Sequence, residues 1–184
     1  HAFVLDQASP LPVGVSPNGI NTTFSTQSPI SLYGASKLAS ETLALEYGNA
    51  FDFPVWINRC GVLAGAGQFG LPDQGIVSFW VNSWLQEHPL KYIGFSGTGF
   101  QVRDCFHPRD LSSLLIKQIE YAGTDRPRVL NLGGGLDNTF SLRQLSNWCQ
   151  MEIGNRIVNT AEQARAYDAP WIVMDNTNAT DIWN

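Results

Sequence analysis

The sequence predicts an α/β fold built on a parallel sheet, and three observations predict it. Residues 31–50 have helical spacing and are followed at once by a short apolar run, Pro54–Arg59. A helix followed by a short buried strand is the rhythm of a parallel α/β sheet. The rhythm returns between a helix start at Pro108 and the run Val129-Leu130-Asn131-Leu132. The composition supports a packed core, with 43% hydrophobic and 15% charged residues in a chain of 184. Such a chain buries about 70% of its unfolded surface and needs no disulfide staple.

The elements follow in order. Residues 1–30 read as irregular, with turn chemistry at Leu11-Pro12-Val13-Gly14 and Ser16-Pro17-Asn18-Gly19. In the 31–50 helix, Leu38, Thr42 and Leu45 recur at helical spacing. Gly48 and Phe51-Asp52-Phe53-Pro54 end it. Residues 61–73 form a Gly-rich loop, and Asp73 can cap a helix running to about residue 87. That helix carries Ile76, Phe79, Trp80 and Trp84 on one face. Leu90–Phe95 and Gln101–Phe106 read as strands around the turn Ser96-Gly97-Thr98-Gly99. Pro108 suits a helix start, with Leu111, Leu114, Leu115 and Ile119 at helical spacing after it. The strand 129–132 closes on Gly133-Gly134-Gly135, and Ser141–Trp148 reads as a helix. Residues 154–169 are polar and loop-like, Trp171–Met174 reads as a last strand, and Thr177–Trp183 could start a helix.

Charge and cysteines set the function classes. The net charge is −5, and the 11 Lys and Arg residues do not cluster. Nucleic acid and anionic membrane surfaces are therefore not the expected partners, and no apolar run is long enough to span a bilayer. The three cysteines, Cys60, Cys105 and Cys149, contain no CxxC pair and read as buried free thiols, which points to a cytoplasmic location. His1, His88 and His107 share no ligand spacing with them, so no metal site is expected.

The residues that carry chemistry begin with Tyr33 and Lys37, which stand four apart on one helix face. A phenol is a poor base near neutral pH, and a neighbouring ammonium favours its phenolate. Such a pair can take a proton from an alcohol and return it. The bare Tyr-x-x-x-Lys pattern also fits an exposed helix pair.

The surroundings are more specific. Ser31-Leu32-Tyr33-Gly34-Ala35-Ser36-Lys37-Leu38-Ala39-Ser40-Glu41 resembles the active-site helix of extended short-chain dehydrogenases/reductases, the NAD-dependent nucleotide-sugar epimerases and dehydratases. Val55–Gly65, with Arg59, is similar to the family's next strand and loop. Val102-Arg103-Asp104-Cys105-Phe106-His107-Pro108-Arg109-Asp110-Leu111 is similar to its Arg-Asp-x-x-His-x-x-Asp-Leu segment, and Val129–Gly134 to its last sheet strand. Within the family, Arg59–Gly65 and Gln101–Asp104 resemble the CDP-sugar 2-epimerases of the tyvelose (CDP-paratose) type. Val62 stands where 4-epimerases and dehydratases carry a substrate-binding Asn.

The resemblance implies the C-terminal part of a Rossmann-like parallel sheet with helices, plus a small α+β substrate-binding lobe. Residues 1–64 would be the remainder of the Rossmann-like domain, 65–127 the substrate-binding lobe and return helix, 128–135 the last sheet strand, and 136–184 a further lobe segment. It also implies epimerisation of a nucleotide-diphosphate sugar at a ring carbon by oxidation and re-reduction with NAD. Tyr33 and Lys37 would be catalytic and contact the cofactor, together with Arg59 and Cys60. Val62, Tyr92 and Arg103 would bind substrate, with the planar Arg103 fork on the diphosphate; Tyr92 and Phe95 also suit core packing. Asp104 is expected to orient backbone, and His107 to be structural.

Gly65-Ala66-Gly67-Gln68-Phe69-Gly70 fits the dinucleotide fingerprint G-x-G-x-x-G. That fingerprint must follow a strand directly and open a helix, whereas Leu71-Pro72-Asp73 follows Gly70. A loop approaching the sugar is the better reading. The family's NAD-binding glycine motif has no counterpart before Tyr33, so the chain resembles the second half of the fold and alone is expected to be inactive. A homo-oligomer covering the exposed face is expected. The alternative function is a noncatalytic module that keeps nucleotide-sugar binding or only an assembly surface.

Overall fold

The computed structural model describes residues 1–72 and 74–183. The chain opens with a small hairpin, β1 (Val15–Ser16) and β2 (Gly19–Ile20), paired antiparallel across the Pro17-Asn18 turn. The turn expected at Ser16-Pro17-Asn18-Gly19 closes this hairpin, and its two-residue strands, too short to carry a strand periodicity, are what the irregular reading of residues 1–30 lacked. The pairing is completed by Asn131 Nδ2 donating to Ile20 O at 2.8 Å and by the bridge between Ile20 and Met174.

The helix α1 (Leu32–Phe51) starts where expected, because Ser31 Oγ accepts the Gly34 N–H at 3.0 Å as a side-chain cap. Its half-buried stripe is Leu38, Glu41, Ala44 and Leu45, leading to Gly48, the helix's one buried residue; Thr42 faces outward. Gly48 has to be glycine: a Cβ there would stand 2.7 Å from Val55 Cγ2. After α1 come β3 (Ile57–Cys60) and β4 (Val62–Leu63).

The Gly-rich loop then leads to α2 (Ile76–Leu85), whose N-cap is Gly75. Asp73, the cap expected from sequence, lies outside the described residues. The strand β5 (Lys91–Tyr92) is shorter than the sequence suggested, and a 3₁₀ turn occupies Phe95–Gly97. There follow β6 (Val102–Phe106), α3 (Pro108–Glu120) and β7 (Val129–Leu132). After β7 a 3₁₀ turn covers Leu136–Asn138. The chain continues through β8 (Thr139–Ser141), α4 (Leu142–Glu152), β9 (Asn159–Thr160), β10 (Trp171–Ile172) and α5 (Thr177–Trp183).

Parallel pairing dominates. Strand β3 lies parallel to β7 over all four residues, while β6 has β4 and β10 parallel to it and β8 antiparallel. A fourth parallel pair joins β5 to β9, the latter inside the segment read as loop. This is the expected α/β architecture, with the sheets covered by helices.

Two cores result. One holds Trp80 and Trp84 of α2, Leu90 just before β5, Tyr92 of β5, and Leu145 and Cys149 of α4. The other holds Leu130 and Leu132 of β7 with Trp183, backed by Trp56, Cys60, Leu111 and Leu114. The inward face of α3 differs from the apolar spacing. Gln118 is buried and exchanges two amide hydrogen bonds with Asn58, at 2.8 and 3.0 Å, whereas Ile119 is exposed. A reciprocal amide pair satisfies both side chains and so tolerates burial.

Candidate active site

The first turns of α1 present Tyr33 and Lys37 together. The Lys37 ammonium stands 5.5 Å from the centroid of the Tyr33 ring, and the ring is 65% exposed. The helix is fastened to β3 by a side-on ion pair. Arg59 Nε donates to Glu41 Oε2 at 2.9 Å and Nη2 to Oε1 at 2.5 Å. Planar fork and carboxylate match in this geometry. Two of the five Arg59 N–H groups are thus committed to the helix that carries Tyr33.

Side chains alternate along a strand, so Cys60 points opposite to Arg59. It packs against the core of Leu130, Leu132 and Trp183, with its thiol donating to Asn58 O at 3.5 Å. Burial pushes the thiol up from its ordinary range.

Val62 and Arg103 do come together. Val62 pairs with Cys105 in parallel register, and Arg103 stands two residues earlier on β6. In-register parallel neighbours share a face, as do residues two apart. Val62, Cys105 and Arg103 therefore line one face of this sheet. Arg103 Nη2 donates to Asp168 Oδ1 at 2.6 Å, and Nη1 donates to the carbonyls of Val102 and Ala169. Burial lowers its pKa, with Asp168 opposing that shift and Arg165 adding to it.

Tyr92 is a correction. It is 1% exposed, stacks on Trp80 at 5.6 Å between centroids, and donates its hydroxyl to Ser146 Oγ at 2.7 Å. A side chain so enclosed contacts no substrate. Phe95 packs edge-on against Phe3, 5.2 Å between ring centroids.

Asp104 orients backbone, as expected. It is fully buried, and its Oδ2 accepts the Met174 N–H at 3.1 Å. Burial raises its carboxyl pKa, opposed by backbone N–H groups of Met174, Gly135 and Gly134. It lies against Gly61 at the end of β3 and Gly133 at the end of β7, and a Cβ on Gly133 would overlap its Oδ2. The carboxyl thus ties together the ends of both sheets. His107 caps α3, its Nδ1 accepting the Arg109 N–H at 3.1 Å.

The Gly65–Gly70 loop does not open a helix, because α2 starts only at Ile76. Gln68 fixes it by donating to Leu63 O and accepting from Ser78 Oγ. Beside it an open cleft of about 350 Å³ is lined by Ala64, Cys105, His107 and Asn138, among others. Among the described residues no His, Cys, Asp and Glu cluster could hold a metal ion, and no helix is long and apolar enough to cross a membrane.

Sequence reasoning missed Glu41 as the partner of Arg59 and Asp168 as the partner of Arg103. A carboxylate on the inward stripe of α1 was the available signal for Glu41. Asp168 had none, since its segment carries no periodicity.

These motif segments lie inside a stretch, residues 12–133, that matches the model of the NAD dependent epimerase/dehydratase family. The chain belongs to that family. It is 30% identical over 145 residues to CDP-paratose 2-epimerase of Salmonella typhi, covering 74% of this chain and 42% of that protein. It is 28% identical over 156 residues to UDP-glucuronate 4-epimerase of Thermodesulfobacterium geofontis, covering 84% and 44%. Among solved structures, MoeE5 in complex with UDP-glucose and NAD superimposes with a TM-score of 0.74 at 25% identity, covering 94% of this chain and 56% of that one. UDP-glucuronic acid 4-epimerase of Bacillus cereus superimposes at 0.73 with 20% identity, covering 94% and 53%, which speaks for the fold alone. The chain spans about half the length of the relatives it matches.

The residues present suit one end of a nicotinamide cofactor and not the other. Tyr33 and Lys37 fit its reacting end: they share one face, open to solvent, with phenol and ammonium side by side. The loop at Gly65–Gly70 does not fit its diphosphate, for the reasons of placement given above.

Proposed function

We propose that this chain carries the proton-transfer pair and the substrate side of an NAD-dependent nucleotide-sugar epimerase that inverts a ring carbon, of the sugar 2-epimerase kind. The observation that carries the reading is the Tyr33–Lys37 pair on a helix fastened to the parallel sheet through Glu41 and Arg59. NAD, when bound, supplies a hydride acceptor and later donor at the sugar carbon. Tyr33 takes the proton of the ring hydroxyl as that carbon is oxidised and returns it on reduction. Lys37 places positive charge beside the phenol and so supports the negative charge that develops there. Arg103 offers the nucleotide diphosphate a planar cation on the face it shares with Val62. Val62 gives that face an apolar side chain where a polar amide would otherwise select the sugar.

The division at residues 64, 127 and 135 belongs to this proposal, with the core of Trp80, Trp84 and Tyr92 as the heart of the substrate lobe. So does self-association. Strand β3 pairs only with β7 among the described residues, and Leu43, Tyr47 and Phe51 are exposed along α1. An open edge beside an apolar stripe favours a homo-oligomer, and a monodisperse monomer in light scattering refutes it.

The test is a thermal-shift titration of the 184-residue chain with NAD+, CDP, UDP and dTDP separately. A ligand that binds only the folded state raises the melting point by mass action. A rise with a nucleoside diphosphate supports the substrate site, and a rise with NAD+ extends it to the cofactor. No rise with any of them leaves a noncatalytic assembly module and overturns the proposal.

A further inference from the structure

On the surface of α1 the neighbours of Lys37 are Tyr33 and Gly34 on the turn before it, and Ser40 and Glu41 on the turn after it. Gly34 has no side chain to offer, and Ser40 Oγ is committed to Ser36 O at 2.9 Å. The ammonium is therefore contested by two groups, the Tyr33 ring and the Glu41 carboxylate. Helical side chains lean toward the N-terminus of their helix. A Glu41 set free would lean toward Lys37.

An opposite charge at this spacing attracts the lysine, yet the Lys37 ammonium stands 5.5 Å from the Tyr33 ring centroid and forms no ion pair. Among the described residues the ion pairs are Arg59–Glu41 and Arg103–Asp168. The reason lies on β3. Arg59 meets Glu41 side-on, with Nε on one carboxylate oxygen at 2.9 Å and Nη2 on the other at 2.5 Å, so both oxygens are taken. The two side chains are 26% and 15% exposed, and a partly enclosed charge is screened less than one on an open surface. An unneutralised Glu41 would thus compete for Lys37 from one turn away.

We propose that Arg59 is the positioning residue for Lys37. It neutralises Glu41 and so leaves the ammonium to the phenol. The inference rests on the nucleotide-sugar reading above for its chemistry: positive charge stays beside the Tyr33 oxygen while that oxygen is negative. Arg59 acts through Glu41 in this scheme, not on the reacting atoms.

The experiment reads the Lys37–Tyr33 contact directly, as the nuclear Overhauser effect between the Lys37 Cε protons and the Tyr33 ring protons in the whole chain at neutral pH. Lys91 and Lys117 are the other lysines, so the Lys37 signals are assignable. Arg59→Ala is expected to weaken the effect about twofold, the population shift that a released helical pair of opposite charge produces. Glu41→Gln should leave it unchanged, since the charge it removes is already neutralised. The Arg59→Ala/Glu41→Gln double variant should restore it, and Arg59→Lys, which keeps a cation on Glu41, should preserve it. Arg59→Gln keeps a neutral donor for Glu41 and supplies the test if the alanine variant does not fold; it too should weaken the contact. An unchanged effect in the neutral Arg59 variants, equal weakening in Glu41→Gln, or no recovery in the double variant each overturns the assignment and leaves the pair as a fastening of α1 alone. No nucleotide or NAD enters these measurements, so they fail separately from the thermal-shift titration, whose failure strikes the nucleotide-sugar reading.

Discussion

Ser146 on α4 is the acceptor on which two large buried side chains depend. Its Oγ receives the Trp80 indole N–H at 2.9 Å and the Tyr92 hydroxyl at 2.7 Å, and donates to Leu142 O at 3.0 Å. Trp80 and Tyr92 are 2% and 1% exposed, so water does not replace the lost oxygen in Ser146→Ala. Each stranded buried donor costs about 1–3 kcal/mol, which puts the substitution at roughly 2–6 kcal/mol when both are left without a partner. Removing one hydroxyl opens little space, so the cavity contribution is minor. Tyr92→Phe deletes one donor and leaves Trp80 satisfied, at about 1 kcal/mol. The double variant has a single stranded donor, so its loss should fall short of the sum of the two single losses by about 2–4 kcal/mol. Urea unfolding followed by far-UV circular dichroism measures all three. A Ser146→Ala loss below about 0.5 kcal/mol, within the range of an inconsequential surface change, or strict additivity with Tyr92→Phe, refutes the reasoning.

Other outcomes follow from the same geometry. Glu41→Gln removes the charge that fastens α1 to β3; because the pair is partly exposed, it should cost about 1 kcal/mol, and the gap between variant and wild type should narrow in urea melts at high salt. Gly133→Ala drives a methyl into Asp104 and should cost more than about 3 kcal/mol, whereas Gly67, with no atom within 4 Å of a Cβ, should lose only about 1–3 kcal/mol for its left-handed backbone; equal melting points for the two variants would contradict the packing. The Cys105 thiol is pushed up to about 12, mainly by burial. At pH 8 its thiolate is then about one part in ten thousand, so Cys105 should react slowly with iodoacetamide although it borders an open cleft, faster once urea unfolds the chain, and prompt native labelling at that site would contradict the raised pKa.

Much of this was legible in the sequence because local and tertiary preferences agreed. Ser31 caps α1, Pro108 opens α3, and the run Val129–Leu132 is a buried parallel strand. The Trp80 and Trp84 face of α2 was legible for the same reason. The failures are polar residues whose role is set by a distant partner. Gln118 reads as a surface residue until Asn58 is opposite it. Asn159 and Thr160 read as loop, and only β5 makes a strand of them. Tyr92 suits both a substrate contact and a core, and the position of Ser146 decides between them. For the site itself, Tyr33, Lys37 and Arg103 could be named from motifs; of the carboxylates that hold their surroundings, Glu41 showed only in its place on the inward stripe of α1, and Asp168 in nothing local.

The scarcity of burial on α1 has a consequence for how the molecule moves. Twenty residues of helix are held to the rest of the chain with one of them, Gly48, fully buried, whereas α4, half that length, sinks Leu145, Ser146 and Cys149 and carries a complete capping box. Amide hydrogens report such contrasts, since local opening draws on local contacts. The α4 amides should exchange with deuterium at the rate of global unfolding, and those of α1 well before it. The segment bearing Tyr33 and Lys37 is then the first to loosen, and any molecule that settles across its open face would show itself as slowed exchange there before it altered anything else.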